Sequence, residues 1–260
     1  MINVKNISYQ ISKKQLLQNI SFSVKSGEIV AIIGANGAGK STLLKILCQE
    51  INPTAGQIFI NNKITNNYNL GELAKLRAVL AQHNTLSMQF TVKELVTMGR
   101  YPHFKHRPQP NDVAIINQTM QETGVFEFAY RDYNTLSGGE QQRVQLARVL
   151  AQIYDSPNAF LLLDEPTNGL DLLYQQQILN TARKMANKGF GVVCILHDIN
   201  LASAYADKIL ILKNGQNIAL GSPSEVINCY NIHKAFNINV QLMPCEGFNC
   251  PLVVPSFLSA

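Results

Sequence analysis

Nine consecutive residues, Gly34-Ala35-Asn36-Gly37-Ala38-Gly39-Lys40-Ser41-Thr42, keep the spacing G-x-x-x-x-G-K-S/T, with the apolar run 29–33 before them and the periodic segment 43–47 after. Glycines at that spacing let successive backbone N–H groups face inward on a chain of phosphates, and a helix that starts there adds its positive N-terminal end. Lys40 then reaches the terminal phosphates. Ser41 places its hydroxyl on a Mg²⁺ ion bridging them, and that ion needs an acidic residue from the end of another strand. The apolar run 160–163 delivers Asp164-Glu165-Pro166. Two adjacent carboxylates at a strand end can divide labour, Asp164 holding Mg²⁺ while Glu165 orients or deprotonates an attacking water.

Three further places carry chemistry. In Leu136-Ser137-Gly138-Gly139-Glu140-Gln141-Gln142-Arg143 a serine-glycine turn opens a helix whose apolar residues Val144, Ala147, Leu150 and Ala151 share one face. Its N-terminus would point at an anion. The chain already has one phosphate site, so a second anion-seeking helix start points to the site of a second copy. The strand-like run 191–196 ends in His197-Asp198. A third strand thus brings polar groups to one carboxyl edge, the ligand edge of a doubly wound α/β fold, which favours a phosphate contact for His197 over a structural role. Tyr9, at the end of the first strand, could stack on a nucleobase or pack in the sheet.

These residues need elements to hold them. Segments 3–9 and 16–24 alternate as strands, with a polar turn over 12–15; 53–56 is a turn and 57–60 a strand. Asn61, Asn62, Asn66, Asn67 and Asn69 mark a solvated connection. A short apolar run, 79–81, ends at Gln82. Phe90, Thr91, Glu94 and Leu95 form a hydrophobic staple around a capping box, which starts a helix that stops near Gly99. The basic stretch Arg100, His103, Lys105, His106 and Arg107 reads as a solvated or partner-facing surface, because no carboxylate or cysteine completes a metal set with its histidines. A helix covers 113–122. The turn from Asn168 to Asp171 opens an amphipathic helix with Leu172, Ile178, Leu179, Ala182 and Met185 inward, closed by Gly189.

With 260 residues, 46% of them apolar and 15% charged, the chain can bury enough surface to fold as one or two domains. Its apolar runs are too short to cross a bilayer, and its start lacks the charged-then-apolar form of a secretory signal, so a cytosolic location is expected. Cys48, Cys194, Cys229, Cys245 and Cys250 are odd in number and scattered, as reduced thiols are. A net charge of +5 suits an anionic ligand or membrane surface and is too small to argue for nucleic acid.

The order Tyr9, GANGAGKST, Gln82, LSGGE, LLLDEP, Asn168-Gly169-Leu170-Asp171 and His197 resembles the ATP-binding-cassette (ABC) ATPases, and LSGGE ahead of DEP and a later histidine is what sets cassettes apart from other nucleotidases. The likeness covers roughly residues 1–230. Finer features resemble importers of iron-siderophore, cobalamin and heme: Gln82-His83, the segment 98–103, the run 139–152 and the segment 196–202. The run GEQQRVQLARVLAQ and the ending Pro251-Leu252-Val253-Val254-Pro255 are most similar to hemin-import ATP-binding proteins.

The resemblance implies an α/β P-loop NTPase fold with a RecA-like core, an antiparallel β subdomain and an α-helical signature subdomain at about 85–152, followed by an extension at 231–260. It implies ATP and Mg²⁺ as cofactors. Tyr9 would stack on adenine and Gly34 to Thr42 would hold the phosphates. Ser41 and Asp164 would serve Mg²⁺. Gln82 would sense Mg²⁺ and the γ-phosphate while linking to the membrane partner. Glu165 would act on the water, Lys40 and His197 on the γ-phosphate. Ser137, Gly138 and Gly139 would reach the γ-phosphate bound by the other subunit of a head-to-tail homodimer, with Asp171 in the inter-subunit loop. The implied partners are two transmembrane permease subunits and, through them, a periplasmic heme-binding protein, with no nucleic acid; the implied place is the cytoplasmic side of the inner membrane. Asn168-Gly169 departs from the serine-alanine pair of many members.

Two alternatives stand beside heme import: a ferric-siderophore or cobalamin cargo, and a soluble cassette ATPase such as those of iron–sulfur cluster assembly, against which the segment 91–107 speaks by resembling membrane-coupled importers. At the C-terminus, 239–243 and 252–254 could pair as a hairpin around 245–249.

Overall fold

A computed structural model of the chain describes residues 1–82, 88–245 and 250–256. In chain order the elements are β1 (Ile2–Ile11), β2 (Lys14–Val24), β3 (Ile29–Ile33), α1 (Lys40–Leu47), β4 (Ala55–Ile60), β5 (Lys63–Ile64), α2 (Leu70–Leu76), β6 (Arg77–Leu80), α3 (Val92–Met98), α4 (Pro110–Glu122), α5 (Gly138–Ile153), β7 (Phe160–Asp164), α6 (Leu172–Asn187), β8 (Gly191–Ile195), α7 (Ile199–Tyr205), β9 (Lys208–Lys213), β10 (Gln216–Gly221), α8 (Pro223–Val226), α9 (Cys229–Phe236), β11 (Val240–Met243) and β12 (Leu252–Pro255). They divide into two compact units, Met1–Thr65 with Val193–Ala260, and Asn66–Val192.

The first unit contains an antiparallel sheet ordered β2-β1-β4-β5. Its inner face pairs Ile2 with Val24, Val4 with Phe22 and Ile7 with Ile20, all buried. Buried residues recur every two positions from Ile20 to Val24 in β2 but are three apart between Val4 and Ile7 in β1. One extra residue in β1 must be absorbed, and Asn6 absorbs it at φ +52 as a bulge that keeps Ile7 on the core side. The connecting turn is two residues, Ser12-Lys13, tighter than the expected 12–15, because the strands extend to Ile11 and Lys14. A second layer holds β3 parallel to β9, with β10 antiparallel to β9. All five residues of β3 are buried, and α1 buries Leu43, Leu44, Ile46 and Leu47. Near the C-terminus β11 and β12 pair antiparallel, Val240 opposite Pro255 and Met243 opposite Leu252. Residues 246–249, within the expected hairpin tip, and His83 lie outside the described residues.

The second unit pairs β6 parallel to β7 and gathers a helical core in which Val92, Leu95 and Val96 of α3 meet Ile115, Ile116 and Met120 of α4 and Val144, Ala147 and Ala151 of α5. Thr91 and Glu94 form the expected capping box and Gly99 the C-cap of α3.

Three expectations are corrected. The asparagine-rich connection is not all loop: Asn69 caps α2, its side chain accepting from Glu72 N at 2.9 Å while Glu72 accepts from Asn69 N at 3.0 Å. The basic stretch is not all surface. Arg100 is 1% exposed; its Nε donates to Asp112 at 2.9 Å, its two Nη atoms fork onto Asp155 at 2.7 and 3.0 Å, and Nη1 also donates to Ala151 O at 2.8 Å. The two carboxylates that neutralise it lie 12 and 55 residues away in sequence, out of sight of the local pattern. Leu172 does not face inward; it is 83% exposed, because the buried stripe of α6 begins six residues later, at Ile178, and runs through Leu179, Ala182 and Met185.

Candidate functional site

The glycine loop leaves the buried strand β3 and re-enters the fold at α1. Gly34 has φ +154, and a Cβ there would stand 2.3 Å from Leu212 O in β9; Gly39, the N-cap of α1 at φ +102, would place one 2.8 Å from Leu17. Gly34 admits no side chain without moving β9, and one at Gly39 would have to displace the Leu17 side chain, so close approach and a positive φ bind the loop to its neighbours. Ala38 O accepts from Gly215 N at 3.0 Å, and Lys40 Nζ, itself buried, donates to Gly34 O at 2.8 Å and Ala35 O at 3.2 Å. The lysine stem thus closes back over the start of the loop. Asn36 and Gly37 at the loop's crest and Ser41 in the first turn of α1 are exposed, and Ala35, Gly39 and Thr42 half-exposed. Exposed backbone N–H groups, an ammonium and the start of an eight-residue helix with no acidic residue in its first turn are the chemistry a phosphate chain requires, and the loop fits the nucleotide.

In the same unit Leu196 N donates to Ile32 O at 3.2 Å, so β8 ends beside the strand from which the glycine loop departs. His197 follows, exposed, and Asp198 then caps α7, accepting from Asn200 N at 2.7 Å and Leu201 N at 3.0 Å. Tyr9 is half-buried on β1, opposite Leu17.

In the second unit the last register pair of β6 and β7 is Leu80 with Leu163. Two residues further along each chain stand Gln82 and Glu165, and Gln82 Nε2 donates to Glu165 Oε2 at 2.6 Å. Glu165 has φ +49, uncommon for a residue with a side chain and worth about 1–2 kcal/mol of strain. Asn168 N donates to Glu165 O at 3.1 Å, and its side-chain amide reaches Glu165 Oε2 at 3.4 Å. Asn168 is the residue at which the sequence departs from the usual serine. Asp164, half-exposed at the end of β7, offers a hard oxygen donor of the kind Mg²⁺ takes, as Ser41 does in the first unit.

Ser137 caps α5 in a reciprocal box: Glu140 Oε2 accepts from Ser137 N at 2.8 Å and from its hydroxyl at 2.9 Å. These bonds hold the Glu140 carboxyl below the usual range, the Ser137 backbone N–H contributing most. Gly138 is exposed and Gly139 half-exposed. A Cβ on Gly139 would approach the Tyr174 ring to 3.0 Å, and Arg143 lies over that same ring at 4.8 Å. Asp171 caps α6, its Oδ1 accepting from Tyr174 N at 3.0 Å, so one tyrosine ties the capped start of α6 to the glycines of α5. Sequence reading marked Asn168 as a departure without showing its bond to Glu165, and it missed Tyr174, since a tyrosine three residues past a helix cap carries no distinguishing pattern.

Residues 17–168 match the family model described as "ABC transporter". The chain is 43% identical over 258 residues to a hemin import ATP-binding protein of Gloeobacter violaceus, covering 98% of this chain and 94% of that protein. It is 40% identical over 258 residues to the protein of the same name from Escherichia coli O157:H7, covering 98% and 99%. Among solved structures, a chain from an inward-facing ABC transporter described as of metal-chelate type superposes with TM-score 0.83 at 26% identity, covering 98% of this chain and 97% of that one. A dimeric bacterial ABC transporter cassette superposes with TM-score 0.74 at 30% identity, covering 86% and 99%. A glycine loop built for phosphates, a carboxylate pair at a strand end and a family match across most of the chain have one meaning: the chain belongs to the ABC transporter family, as one of its ATP-hydrolysing subunits.

Proposed function

We propose that this chain powers the import of heme, working as a head-to-tail homodimer on the cytoplasmic side of the inner membrane beneath two permease subunits that receive heme from a periplasmic binding protein. The observation that carries the cargo is the 40–43% identity, over nearly the whole chain, to proteins named hemin import ATP-binding proteins. No helix among the described residues is long and apolar enough to cross a membrane, so the path for the cargo must come from other chains.

In this proposal Tyr9 stacks on adenine, the loop from Gly34 through Ala35, Asn36, Gly37, Ala38, Gly39, Lys40, Ser41 and Thr42 holds the phosphates, and Ser41, Asp164 and Gln82 serve Mg²⁺. The ion, when bound, would neutralise phosphate charge during transfer. Glu165 takes the proton of the attacking water, and the amide of Gln82 fixes which carboxylate oxygen is left to do so. His197 contacts the γ-phosphate. Ser137, Gly138 and Gly139 of one copy meet the nucleotide held by the other, and Asp171 stands in the loop between copies. Residues 1–230 form the nucleotide-binding domain, and 231–260 an extension.

A second cargo, a ferric siderophore or cobalamin, is a chelated metal as heme is, and the likeness to a transporter described as of metal-chelate type supports that class. The test is ATP hydrolysis in vesicles holding the chain with its permease, with the binding protein loaded in turn with heme, a siderophore or cobalamin. Heme alone should stimulate. Stimulation by one of the others and not by heme transfers the assignment, and purification from the cytosol with soluble scaffold proteins and no permease defeats import.

A further inference from the structure

Residues 229–256 have no part in the chemistry above, yet they are fastened to the turn that carries His197. Asn200 Oδ1 accepts from Val253 N at 2.8 Å, and Asn200 Nδ2 donates to Val253 O at 3.2 Å. Residues of an antiparallel pair alternately turn their backbone N–H and C=O toward and away from the partner strand. Val253, opposite Leu242 in β11, directs both groups to Asn200. The side-chain amide therefore extends the β11–β12 ladder by one residue's width, as a short third strand would.

Asn200 is three residues past His197, in the first turn of α7. Among the bonds that hold the turn are Leu196 N on Ile32 O, Asp198 Oδ1 accepting from Asn200 N and Leu201 N, and Asn200 on β12. The first ties the corner to β3, and the second lies within the corner. The third brings in the C-terminal hairpin, and that part is itself anchored. Val240 and Val253 are buried, Cys229 Sγ lies 3.5 Å from Val240 O, and Lys213 Nζ donates to Asn237 Oδ1 at 2.7 Å, tying the left-handed C-cap of α9 to β9.

We propose that the β11–β12 hairpin is a clamp on the His197 turn and that Asn200 is the positioning residue through which it acts, fixing where the imidazole stands when ATP is hydrolysed. The proposal rests on the γ-phosphate role given to His197. A corner tied to one strand can pivot; one tied to β3 and also to the hairpin keeps its side chain within the few tenths of an ångström that in-line transfer demands.

The experiment uses the full chain with its permease in vesicles, with hydrolysis measured across ATP concentrations. Asn200→Ala should lower kcat about 10- to 100-fold while KM for ATP stays within about two-fold. Combined with His197→Ala it should cause no further loss, because its effect passes through a ring already removed. Val253→Pro removes the same donor from the strand side without altering α7 and should reproduce the loss. Asn200→Asp keeps an acceptor for Val253 N–H, loses the donation to Val253 O, and should fall between. If Asn200→Ala turns over at the parental rate while His197→Ala is impaired, the clamp is wrong and the His197 role survives. If Asn200→Ala slows the His197→Ala protein by the same factor as it slows the parent, Asn200 only maintains the fold. A parental rate in His197→Ala removes the γ-phosphate role itself.

Discussion

Gln82 Nε2 donates to Glu165 Oε2 at 2.6 Å, across 83 residues of sequence. The register of β6 and β7 imposes the meeting, since both residues stand two past the last paired position, and the left-handed backbone of Glu165 turns its carboxylate toward the amide. The proposed role of Glu165 as proton acceptor makes a direct prediction. Glu165→Gln keeps the shape and removes the proposed base, so hydrolysis should fall about 10²–10⁴-fold while ATP still binds. Single-turnover hydrolysis together with size-exclusion chromatography in ATP and Mg²⁺ checks it: the variant should accumulate as a nucleotide-bound dimer, and a normal rate would remove Glu165 from the chemistry.

Tyr9 is half-buried on β1 and is not among the residues of the core. If its ring is a platform for adenine, Tyr9→Ala should weaken ATP binding by about 1–3 kcal/mol, whereas Tyr9→Phe should keep most of it. Direct titration with ATP decides; equal affinity of the alanine variant and the parent counts against stacking.

Ser137 has two parts to play, the cap of α5 and the proposed reach to a second copy's nucleotide, and substitutions separate them. Ser137→Ala loses the cap, a cost of about 0.5–2 kcal/mol in stability. Ser137→Arg adds bulk and charge at the helix start, so turnover should vanish while the chain's own ATP affinity changes little. Binding and turnover measured on the same preparation make the comparison.

Arg100 tests the buried ion network. Arg100→Met leaves Asp112 buried without its partner and should cost about 3–5 kcal/mol in urea unfolding. The same network gives a pH dependence of stability. Hydrogen bonds from Arg100, chief among the causes, hold the Asp155 carboxyl below its ordinary range. The folded state therefore binds this proton less readily than the unfolded state, so the contribution of Asp155 is complete above the ordinary carboxylate value of about 3.9 and is lost as pH falls below it toward the lower folded value. Asp155→Asn should flatten the acid limb of a stability–pH curve, and an unchanged limb would show that Asp155 does not report the network.

Local pattern carried most of the element plan. The capping boxes at Thr91 and Ser137 and the apolar face of α5 depend only on residues three or four apart, and sequence shows those directly. The α2 helix was hidden because Asn69 was one of several asparagines and only Glu72, three residues on, distinguished it as a cap. Leu172 was misplaced because helical periodicity fixes which residues share a stripe but not where a neighbouring element stops covering it.

By itself the sequence determined that this chain holds a phosphate loop, a carboxylate pair, a signature turn and a strand-end histidine, because each is a short run whose chemistry lies in its own spacing. Tertiary structure alone decided what those residues touch. Gln82 meets Glu165 through strand register, Arg100 is neutralised from 12 and 55 residues away, and Asn200 grips Val253 from 53. Such contacts are set by how strands and helices pack, and no periodicity in the chain records which distant backbone group will stand opposite a given amide or guanidinium.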